Sequence, residues 1–335
     1  MRILVTGGTG FIGSHTVVEL LLDGHDVVIV DNLSNSEKSV VDAIEKITQI
    51  RPLFYEVDVT DQHKMEEIFK KHPFDGIIHF AGYKAVGESV EKPLVYYYNN
   101  VLSTIILSEL ALKYHINKFV FSSSATVYGD QEPPFIETMS LGDTTNPYGE
   151  TKKISERILS DTANVNPNFH VTLLRYFNPI GAHPSGLIGE NPNGIPNNLM
   201  PFITKVAKGM YKELKIFGND YDTVDGTGVR DYIHVVDLAK GHLEAIKHMK
   251  HHLNIYNLGT GKGTSVLELV NAFMEVNKIN IPYRIVERRP GDIASSYANV
   301  NKAYEELKWK TKLDTKDMVK DAWHFENMKD YTITK

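Results

Sequence analysis

A tyrosine and a lysine four residues apart are the pair in this chain best suited to moving a proton. Tyr148 and Lys152 belong to the run Tyr-Gly-Glu-Thr-Lys, and residues at this spacing share one face of a helix. A tyrosine phenol has a pKa of about 10 and is a poor base at neutral pH unless positive charges favour the phenolate. Lys152 and an oxidised nicotinamide ring are two such charges. Together they would have to supply about 4 kcal/mol to bring the phenol pKa toward about 7.

A run of three serines, Ser122 to Ser124, follows a predicted strand and offers further hydroxyl groups. In the reaction that these residues suit, the Tyr148 phenolate takes a proton from a substrate hydroxyl while NAD+ accepts a hydride from the same carbon. We expect Ser124 to orient that hydroxyl. With 17 tyrosines in the chain, chance Tyr-x-x-x-Lys matches are expected. The functional interpretation of the pair therefore depends on the order of the other motifs along the chain.

A glycine-rich loop, Gly7 to Gly13, joins the first predicted strand to a helix. Its glycines permit a tight turn and a close approach to a pyrophosphate, and the helix N-terminus offers N–H groups and partial positive charge. Asp31 ends the second predicted strand, 18 residues beyond Gly13, and its carboxylate suits an adenosine ribose diol. No basic residue lies between Asp31 and Lys38, which favours NAD over NADP. The alternative is a structural glycine turn with a solvated aspartate.

Asp58, at the end of the third predicted strand, has two equally good interpretations. Its carboxylate could accept a hydrogen bond from the adenine amine, or it could cap the helix that follows Asp58-Val59-Thr60-Asp61.

Short apolar strands alternate with helical patterns through the first half of the chain, which is typical of a doubly wound parallel sheet. The predicted strands are Ile3–Thr6, Val27–Val30, Leu53–Val57, Gly76–Phe80, Lys118–Ser122 and Val171–Arg175. The predicted helices between them are Ile12–Leu22, Ser39–Ile50, Met65–Lys71, Val101–Tyr114 and Gly149–Ala163. The fold class is therefore α/β, a Rossmann-type doubly wound parallel sheet with a smaller α/β substrate-binding domain.

Two domains follow from the length of 335 residues and from a change in texture after Asn178. We expect an NAD-binding domain over residues 1–178, to which 232–260 return, and a substrate domain over 179–335. Strands at Ile233–Val236 and Asn254–Leu258 are expected to rejoin the large sheet, on either side of a helix around His242–Met249. The proline-rich stretch 179–201 is predicted to be a ligand-shaping loop, followed by a helix at Phe202–Met210.

The composition excludes several classes of function. The absence of cysteine rules out disulfides, thiol nucleophiles and cysteine-based metal centres. A net charge of −6 without a basic stripe predicts no nucleic-acid partner. No stretch approaches the roughly 18 apolar residues of a membrane helix, and the N-terminus lacks the pattern of a signal peptide. We therefore expect a cytoplasmic protein without a membrane partner.

Taken together, these motifs resemble the extended short-chain dehydrogenase/reductase family over essentially the whole chain. The matching segments are Thr6–His15, His79–Ser89, Phe121–Asp130, Asn146–Lys152, Leu174–Gly186, Gly194–Pro201, Phe217–Asp237 and Arg288–Asp292. The run from Ser122 to Gly129 is especially specific. Related sugar-nucleotide dehydratases carry an acidic pair where this chain has Ala125 and Thr126, so elimination would lack its acid and base.

The resemblance implies a role for each matching residue. The catalytic residues would be Ser124, Tyr148 and Lys152. The NAD-binding residues would be Gly7, Gly10, Phe11, Ile12, Gly13, Asp31, Asn32, Asp58, Val59, Phe80, Ala81, Lys84, Asn99, Ser122, Tyr148, Lys152 and Phe177. The substrate-binding residues would be Lys84, Ser124, Tyr148, Asn178, Asn198, Leu199, Phe217, Arg230, Arg289, Asp292 and Ser296. Arginine forks at positions 230 and 289 suit the diphosphate of a nucleotide sugar.

The activity that the resemblance implies is the reversible inversion of carbon 4 of UDP-galactose and UDP-glucose through a 4-keto intermediate, with NAD retained. Where the family varies between a bulky tyrosine and a small residue, this chain has Ser296, which predicts room for UDP-GalNAc and UDP-GlcNAc. A one-residue slip would place Ser295 or Tyr297 there instead. The resemblance also implies a homodimer built on the helices Val101–Tyr114 and Gly149–Ala163.

Two alternatives to this interpretation remain. The chain could be another NAD-dependent UDP-sugar-modifying enzyme of the family, such as a dehydratase, decarboxylase or dehydrogenase, or a non-catalytic NAD-binding regulator. Both Tyr148 and Lys152 are present, which argues against a regulator. His248, His251 and His252 have a spacing that metal ligands use, yet no carboxylate adjoins them, and a basic helix C-terminus explains them better. We predict no metal site.

Overall fold

The computed structural model of the protein describes residues 1–194, 196, 198–289 and 291–329. In chain order its strands are β1 (Arg2–Thr6), β2 (Asp26–Asp31), β3 (Leu53–Glu56), β4 (Gly76–His79), β5 (Lys118–Ser124), β6 (His170–Tyr176), β7 (Asn178–Ile180), β8 (Leu214–Phe217), β9 (Val229–Arg230), β10 (Tyr232–His234), β11 (Leu253–Leu258), β12 (Thr264–Ser265), β13 (Tyr283–Val286) and β14 (Ser295–Ser296).

The helices connect these strands and pack on them. They are α1 (Phe11–Leu22), α2 (Ser39–Thr48), α3 (Gln62–Lys71), α4 (Val86–Glu91), α5 (Pro93–Tyr96), α6 (Leu102–Lys113), α7 (Pro147–Val165), α8 (Leu199–Ala207), α9 (Val235–Lys247), α10 (Val266–Asn277), α11 (Asn301–Leu307) and α12 (Thr315–Met328). A π-helical turn (Tyr97–Val101) joins α5 to α6, and a 3-10 turn (Ala125–Tyr128) follows β5.

A parallel seven-stranded sheet in the order β11-β6-β5-β4-β1-β2-β3 forms the centre of the described structure. All six strands predicted from the apolar runs belong to it, so the predicted fold class is confirmed. The chain winds outward from β1 to β3 in one direction and from β4 to β6 in the other. The crevice beyond the carboxyl ends of β1 and β4, where the winding reverses, is the place where open sheets of this kind bind ligands.

Both faces of the sheet are buried, which explains why its strands are apolar rather than alternating. On one face Ile3 and Val5 pack with Val17 of α1 and Leu238 of α9. The opposite face is covered by α3, α6 and α7, whose buried side chains include Met65, Leu107 and Leu159.

The expectation that both late strands rejoin the large sheet is only half right. Leu253–Leu258 pairs with β6 as its edge strand. Tyr232–His234 instead pairs with Asn178–Ile180, in a separate two-stranded parallel sheet. The strand ends at His234 because that side chain accepts a hydrogen bond from Val236 N (3.1 Å) and begins α9, which is longer than the predicted helix.

A smaller unit contains the other strands and has a core of its own. β12, β9 and β14 form one sheet, and β13 pairs with β8 in another. Ile203 of α8, Phe273 of α10 and Val319 of α12 are fully buried together in this core. In the part of the chain that the structure describes, no helix is long and apolar enough to span a membrane.

Candidate active site

One cleft of about 2060 Å3 runs along the carboxyl ends of the central strands and into the smaller unit. A small-molecule pocket usually measures about 300–1,000 Å3, so this cleft has room for two large ligands side by side. Every catalytic, cofactor-binding and substrate-binding residue predicted from the sequence lies on its wall. The structure thus brings together residues from position 7 to position 296, although their individual roles remain predictions.

The glycine loop lies at the crevice where the direction of winding reverses. Gly7 has a φ of +71°, and a Cβ atom there would lie 2.7 Å from the backbone N of Ala81. At Gly13 a Cβ atom would collide with the carbonyl oxygen of Gly7. The cap residue of α1 is Gly10, which has no side chain to satisfy the first N–H groups. The loop therefore packs closely and leaves donors for a pyrophosphate, so these residues fit a dinucleotide.

Asp31 is buried at the end of β2, and hydrogen bonds hold its carboxylate in place. Its carboxylate accepts hydrogen bonds from Thr9 N (3.2 Å), Leu33 N (3.0 Å) and the Ser36 hydroxyl (3.2 Å). These contacts orient the carboxylate beside the glycine loop, on the wall of the cleft.

The two interpretations of Asp58 are separated by the structure, because the cap of α3 is Asp61, which accepts from Lys64 N at 3.1 Å. Asp58 instead accepts from Thr60 N (2.8 Å) and from Asn32 Nδ2 (2.8 Å), and it lines the cleft. Burial raises its pKa, but the hydrogen bonds from Thr60 and Asn32 outweigh burial and hold the pKa below the usual value. Asp58 is thus an ionised acceptor on the cleft wall.

The predicted catalytic residues meet where β5 ends and α7 begins. Asn146 caps α7 by accepting from Gly149 N (2.9 Å), which places Tyr148 in the first turn and Lys152 one turn later. The Lys152 ammonium donates to the carbonyl oxygen of Ser122 (2.7 Å) and lies 6.0 Å from the centroid of the Tyr148 ring. Tyr148, Lys152 and Ser124 all line the cleft, as predicted.

Burial shifts the pKa of both catalytic groups away from the charged form. It raises the pKa of the Tyr148 phenol to about 12, although a hydrogen bond with Ser124 pulls the other way. It lowers the pKa of Lys152 to about 8, opposed by the negative charge of Glu156. The sequence argument expected Lys152 and an oxidised nicotinamide together to bring the phenol pKa toward neutrality. In the protein alone, desolvation outweighs the hydrogen bond with Ser124, so that expectation stays a prediction for the site with oxidised cofactor bound.

A buried ion pair behind the catalytic residues was missed by the sequence argument. Glu156, one turn beyond Lys152, accepts from Arg175 NH2 (2.7 Å) and from the Ser123 hydroxyl (2.5 Å), and both charged side chains are 3% exposed. The contacts tie α7 to β5 and β6. The available signals were a carboxylate four residues after Lys152 and an arginine at the end of a buried strand.

The substrate end of the cleft combines two arginines with aromatic and acidic residues. Arg230 donates to Asp292 Oδ1 (3.1 Å), and the Arg289 guanidinium lies 3.8 Å from the centroid of the Phe217 ring. The two planar guanidinium groups suit a diphosphate, and the aromatic ring offers a face on which a nucleobase could stack.

Ser296 pairs in register with Arg230 and lies on the cleft wall. Neither Ser295 nor Tyr297 lines the cleft, and Tyr297 packs on Gly263 instead. The structure therefore places the small residue, and not the tyrosine, on the cleft wall.

Glu190 is a second residue that the sequence argument missed. Its carboxylate accepts hydrogen bonds from Lys84 and Asn198, two predicted ligand contacts, and it lines the same cleft. No motif marks it. The only signal was its place in the proline-rich loop that was predicted to shape the ligand site.

Two of the three histidines considered as metal ligands contact different side chains. His248 pairs with Glu244 (3.0 Å), so the statement that no carboxylate adjoins them is wrong; the partner is one helical turn earlier on α9. His252 contacts Asn164 Oδ1 (3.3 Å) on a separate helix. Within the described residues no group of three or more histidine, aspartate or glutamate side chains could hold a metal ion.

Comparison with known proteins identifies close relatives of the chain. Residues 3–259 match the NAD dependent epimerase/dehydratase family. The UDP-glucose 4-epimerase of Pasteurella multocida is 54% identical over 97% of both chains, and that of Bacillus subtilis is 53% identical over 98% of this chain and 97% of its own. A crystal structure of UDP-glucose 4-epimerase from Bifidobacterium longum in complex with NAD+ and UDP superposes with a TM-score of 0.95, at 51% identity and 98% coverage of both chains.

Ionisation of Tyr148 should depend on the charge of the cofactor. In protein freed of dinucleotide, the ultraviolet difference between wild type and Tyr148→Phe should show no tyrosinate below about pH 10, because the pKa is about 12. Loading NAD+ should move this ionisation toward neutral pH by more than about one unit, since a cation favours the phenolate. ADP-ribose, which lacks the charged ring, is the control and should leave the titration unchanged. Identical curves with NAD+ and ADP-ribose would contradict this account.

Proposed function

The chain belongs to the NAD dependent epimerase/dehydratase family, and on that premise we propose how its cleft interconverts UDP-galactose and UDP-glucose. It is an NAD-dependent epimerase. The observation that carries the assignment of roles is one continuous cleft in which Ser124, Tyr148 and Lys152 lie between the glycine loop and the arginines of the smaller unit.

The two ends of the cleft have different tasks. The seven-stranded sheet and its helices form the NAD-binding unit, and residues 179–335, apart from the part that returns to the sheet, form the UDP-sugar-binding unit. Asp31 and Asp58 offer acceptors at the dinucleotide end. Arg230 and Arg289 offer cations at the other end, where the UDP diphosphate carries about two negative charges.

The reaction needs one base and one hydride acceptor. Bound NAD+ supplies the hydride acceptor. Tyr148 takes the proton of the sugar 4-hydroxyl while Ser124 orients that hydroxyl and Lys152 stabilises the phenolate, so the C4–H and O–H bonds break as the 4-keto group forms. The keto sugar then turns about its link to UDP, and Tyr148 returns the proton as hydride comes back to the opposite face. The net redox change is zero.

The closest competing reactions are less well supported. Ala125 and Thr126 occupy the 3-10 turn on the cleft wall where elimination would need an acid and a base. A simple dehydrogenase would accumulate NADH, and a regulator would not turn over UDP-galactose. The cytoplasmic location and the absence of a nucleic-acid partner stay predictions from sequence.

Replacing Tyr148 by Phe should lower kcat for UDP-galactose by at least about 100-fold, because a general base contributes about 10²–10⁴ to the rate. UDP and NAD binding should stay within about threefold of wild type, since only a hydroxyl is removed. The assay is conversion of UDP-galactose to UDP-glucose by purified protein without added NAD. Tyr114→Phe, which removes a hydroxyl bonded to Glu66 outside the cleft, is the control. Retained turnover in Tyr148→Phe would refute the assigned role.

We also propose that UDP-GalNAc and UDP-GlcNAc are substrates, because Ser296 leaves space at the sugar 2-substituent. Ser296→Tyr should abolish turnover of the acetylated sugars by filling that space and keep turnover of UDP-galactose within about fivefold. All four UDP-sugars should be assayed with wild type and variant. A wild-type protein that turns over UDP-galactose well and neither acetylated sugar would rule the proposal out.

A homodimer built on α5, α6 and α7 is the assembly that we propose. An apolar stripe runs along α5, the π-helical turn and α6 through Leu94 (81% exposed), Tyr98 (68%), Ile105 (37%) and Leu112 (37%). Exposed apolar side chains at helical spacing are typical of an interface between copies.

Leu94→Glu together with Tyr98→Glu should convert the dimer to a single chain in analytical ultracentrifugation at micromolar concentration, because two charges would be buried in an apolar contact. Val224→Glu is a matched control, since Val224 is also 81% exposed but lies in a loop of the smaller unit. A wild-type mass of one chain, or an unchanged dimer in the double variant, would contradict the proposed interface.

A further inference from the structure

Glu190 connects the cofactor side of the cleft to the nucleotide-sugar side. One oxygen, Oε1, accepts from the Lys84 ammonium (2.9 Å) and from the Asn198 side-chain amide (2.5 Å). The Glu190 side chain is 8% exposed, whereas that of Lys84 is 45% exposed. A nearly buried carboxylate thus holds two residues that are separated by 114 positions in sequence and that both face the ligands.

The surrounding charges make this carboxylate unusual. It lies in a cleft that must accept two diphosphates, so an uncompensated negative charge would oppose binding. Lys84 is its direct partner, and Lys329, which donates to Asn191 Oδ1 (3.0 Å) and Glu326 Oε2 (3.0 Å), is near enough for its pKa to respond to Glu190. The second oxygen, Oε2, is buried and has no hydrogen-bond partner among the described residues. Within the described residues, the hydrogen bonds of the Glu190 carboxylate are therefore made by Oε1.

Asn198 shows what that oxygen does. It is the cap residue of α8, and asparagine is among the residues that most often satisfy the first N–H groups of a helix with their own side chain. Here its side chain makes no such capping bond. It donates to Glu190 instead, so the Met200 N–H, the first-turn donor that an Asn198 cap would reach because Pro201 has no N–H, stays without the Asn198 side chain as an acceptor.

The loop that carries Glu190 also reaches the cofactor side by a second route. Asn193 N donates to Asn35 Oδ1 (3.3 Å), and Asn193 Nδ2 donates to Ser34 O (3.4 Å). Ser34 and Asn35 follow Asp31 and line the cleft. Glu190 and Asn193 therefore fasten one loop to both sides of the dinucleotide end.

We propose that Glu190 is a positioning residue that keeps Asn198 from capping α8 and holds Lys84 toward the ligands, so that the nucleotide sugar finds its donors already in place. The proposal rests on the function proposed above, since it assigns Asn198 and Leu199 to the UDP-sugar. Glu190 acts by hydrogen bonding through Oε1 to Lys84 and Asn198. A neutral acceptor of the same shape should therefore replace it.

Glu190→Ala frees Asn198 to fold back onto α8, so UDP should bind about tenfold more weakly and the KM for UDP-galactose should rise by a similar factor. The kcat should change by less than about twofold, because no interaction specific to the transition state is lost. Glu190→Gln, which keeps an acceptor at Oε1, should restore both constants to within about threefold of wild type. The melting temperature of Glu190→Ala should not fall, since Asn198 gains a capping bond.

Three measurements on the purified protein test this: UDP binding by calorimetry, UDP-galactose kinetics, and thermal unfolding. Glu66→Ala is the matched control, because Glu66 Oε1 also accepts from a lysine and a second donor, Lys113 (2.6 Å) and the Tyr114 hydroxyl (3.0 Å), away from the cleft. It should leave UDP affinity unchanged.

The proposal is overturned by unchanged UDP affinity in Glu190→Ala, by a Glu190→Gln variant as weak as Glu190→Ala, or by a loss of UDP affinity that only follows a drop in melting temperature. UDP binding separates this result from the proposed reaction. A wild type that binds UDP but does not convert UDP-galactose refutes the reaction, while the comparison of Glu190 variants still decides the positioning role. A wild type that binds no UDP refutes both.

Discussion

The contact between α7 and β5 is the constraint on which the active site depends. Tyr148 and Lys152 lie on the helix, whereas Ser122 and Ser124 lie on the strand, so a small shift between the two elements would separate Tyr148, the proposed base, from Ser124, which is proposed to orient the substrate. The Lys152 ammonium spans the contact by donating to the Ser122 carbonyl oxygen (2.7 Å). Glu156 fastens the same helix one turn later through Arg175 and Ser123. Because side chains alternate along a strand, Ser123 serves the support behind the cleft while its two neighbours serve the cleft itself.

Burying such a charged pair costs free energy of desolvation. Its contribution here is to the geometry of the site rather than to stability. A buried ion pair contributes little or negative net free energy compared with apolar residues of the same size, whereas removing one partner is strongly destabilising. We therefore expect the Glu156–Arg175 pair to favour the observed arrangement of α7 against the sheet. The same low-dielectric surroundings raise the pKa of the Tyr148 phenol and lower that of Lys152. In the function proposed above, Tyr148 would act as a base once a cation enters the site, which would link proton transfer to the presence of oxidised cofactor.

Prediction from sequence succeeded where a local pattern carried the information. The six apolar runs, the glycine loop and Asp31 follow from hydrophobic burial and from conformations that only glycine tolerates, and both are properties of short segments. The placement of Tyr148 and Lys152 on one face of a helix could be predicted for the same reason, since their spacing is that of one helical turn. The strand expected through Val236 ended early because His234 caps a helix, a choice that apolar patterning does not register. The Glu156–Arg175 pair and Glu190 were out of reach because each depends on partners that meet only in the folded chain.

The loop between β7 and α8 shows why irregular segments can carry as much function as the sheet. A reaction with no net redox change has no need to exchange its cofactor, so contacts across the dinucleotide end carry no kinetic penalty for release. The contacts of Glu190 with Lys84 and of Asn193 with Ser34 and Asn35 cross that end. The hexose, in contrast, must turn within the site between its two hydride transfers, which excludes tight contacts around the ring. Strong anchors for the two nucleotides and few contacts around the hexose are therefore two requirements of the proposed reaction, and the contacts that this loop makes with Lys84, Ser34 and Asn35 would contribute to the first.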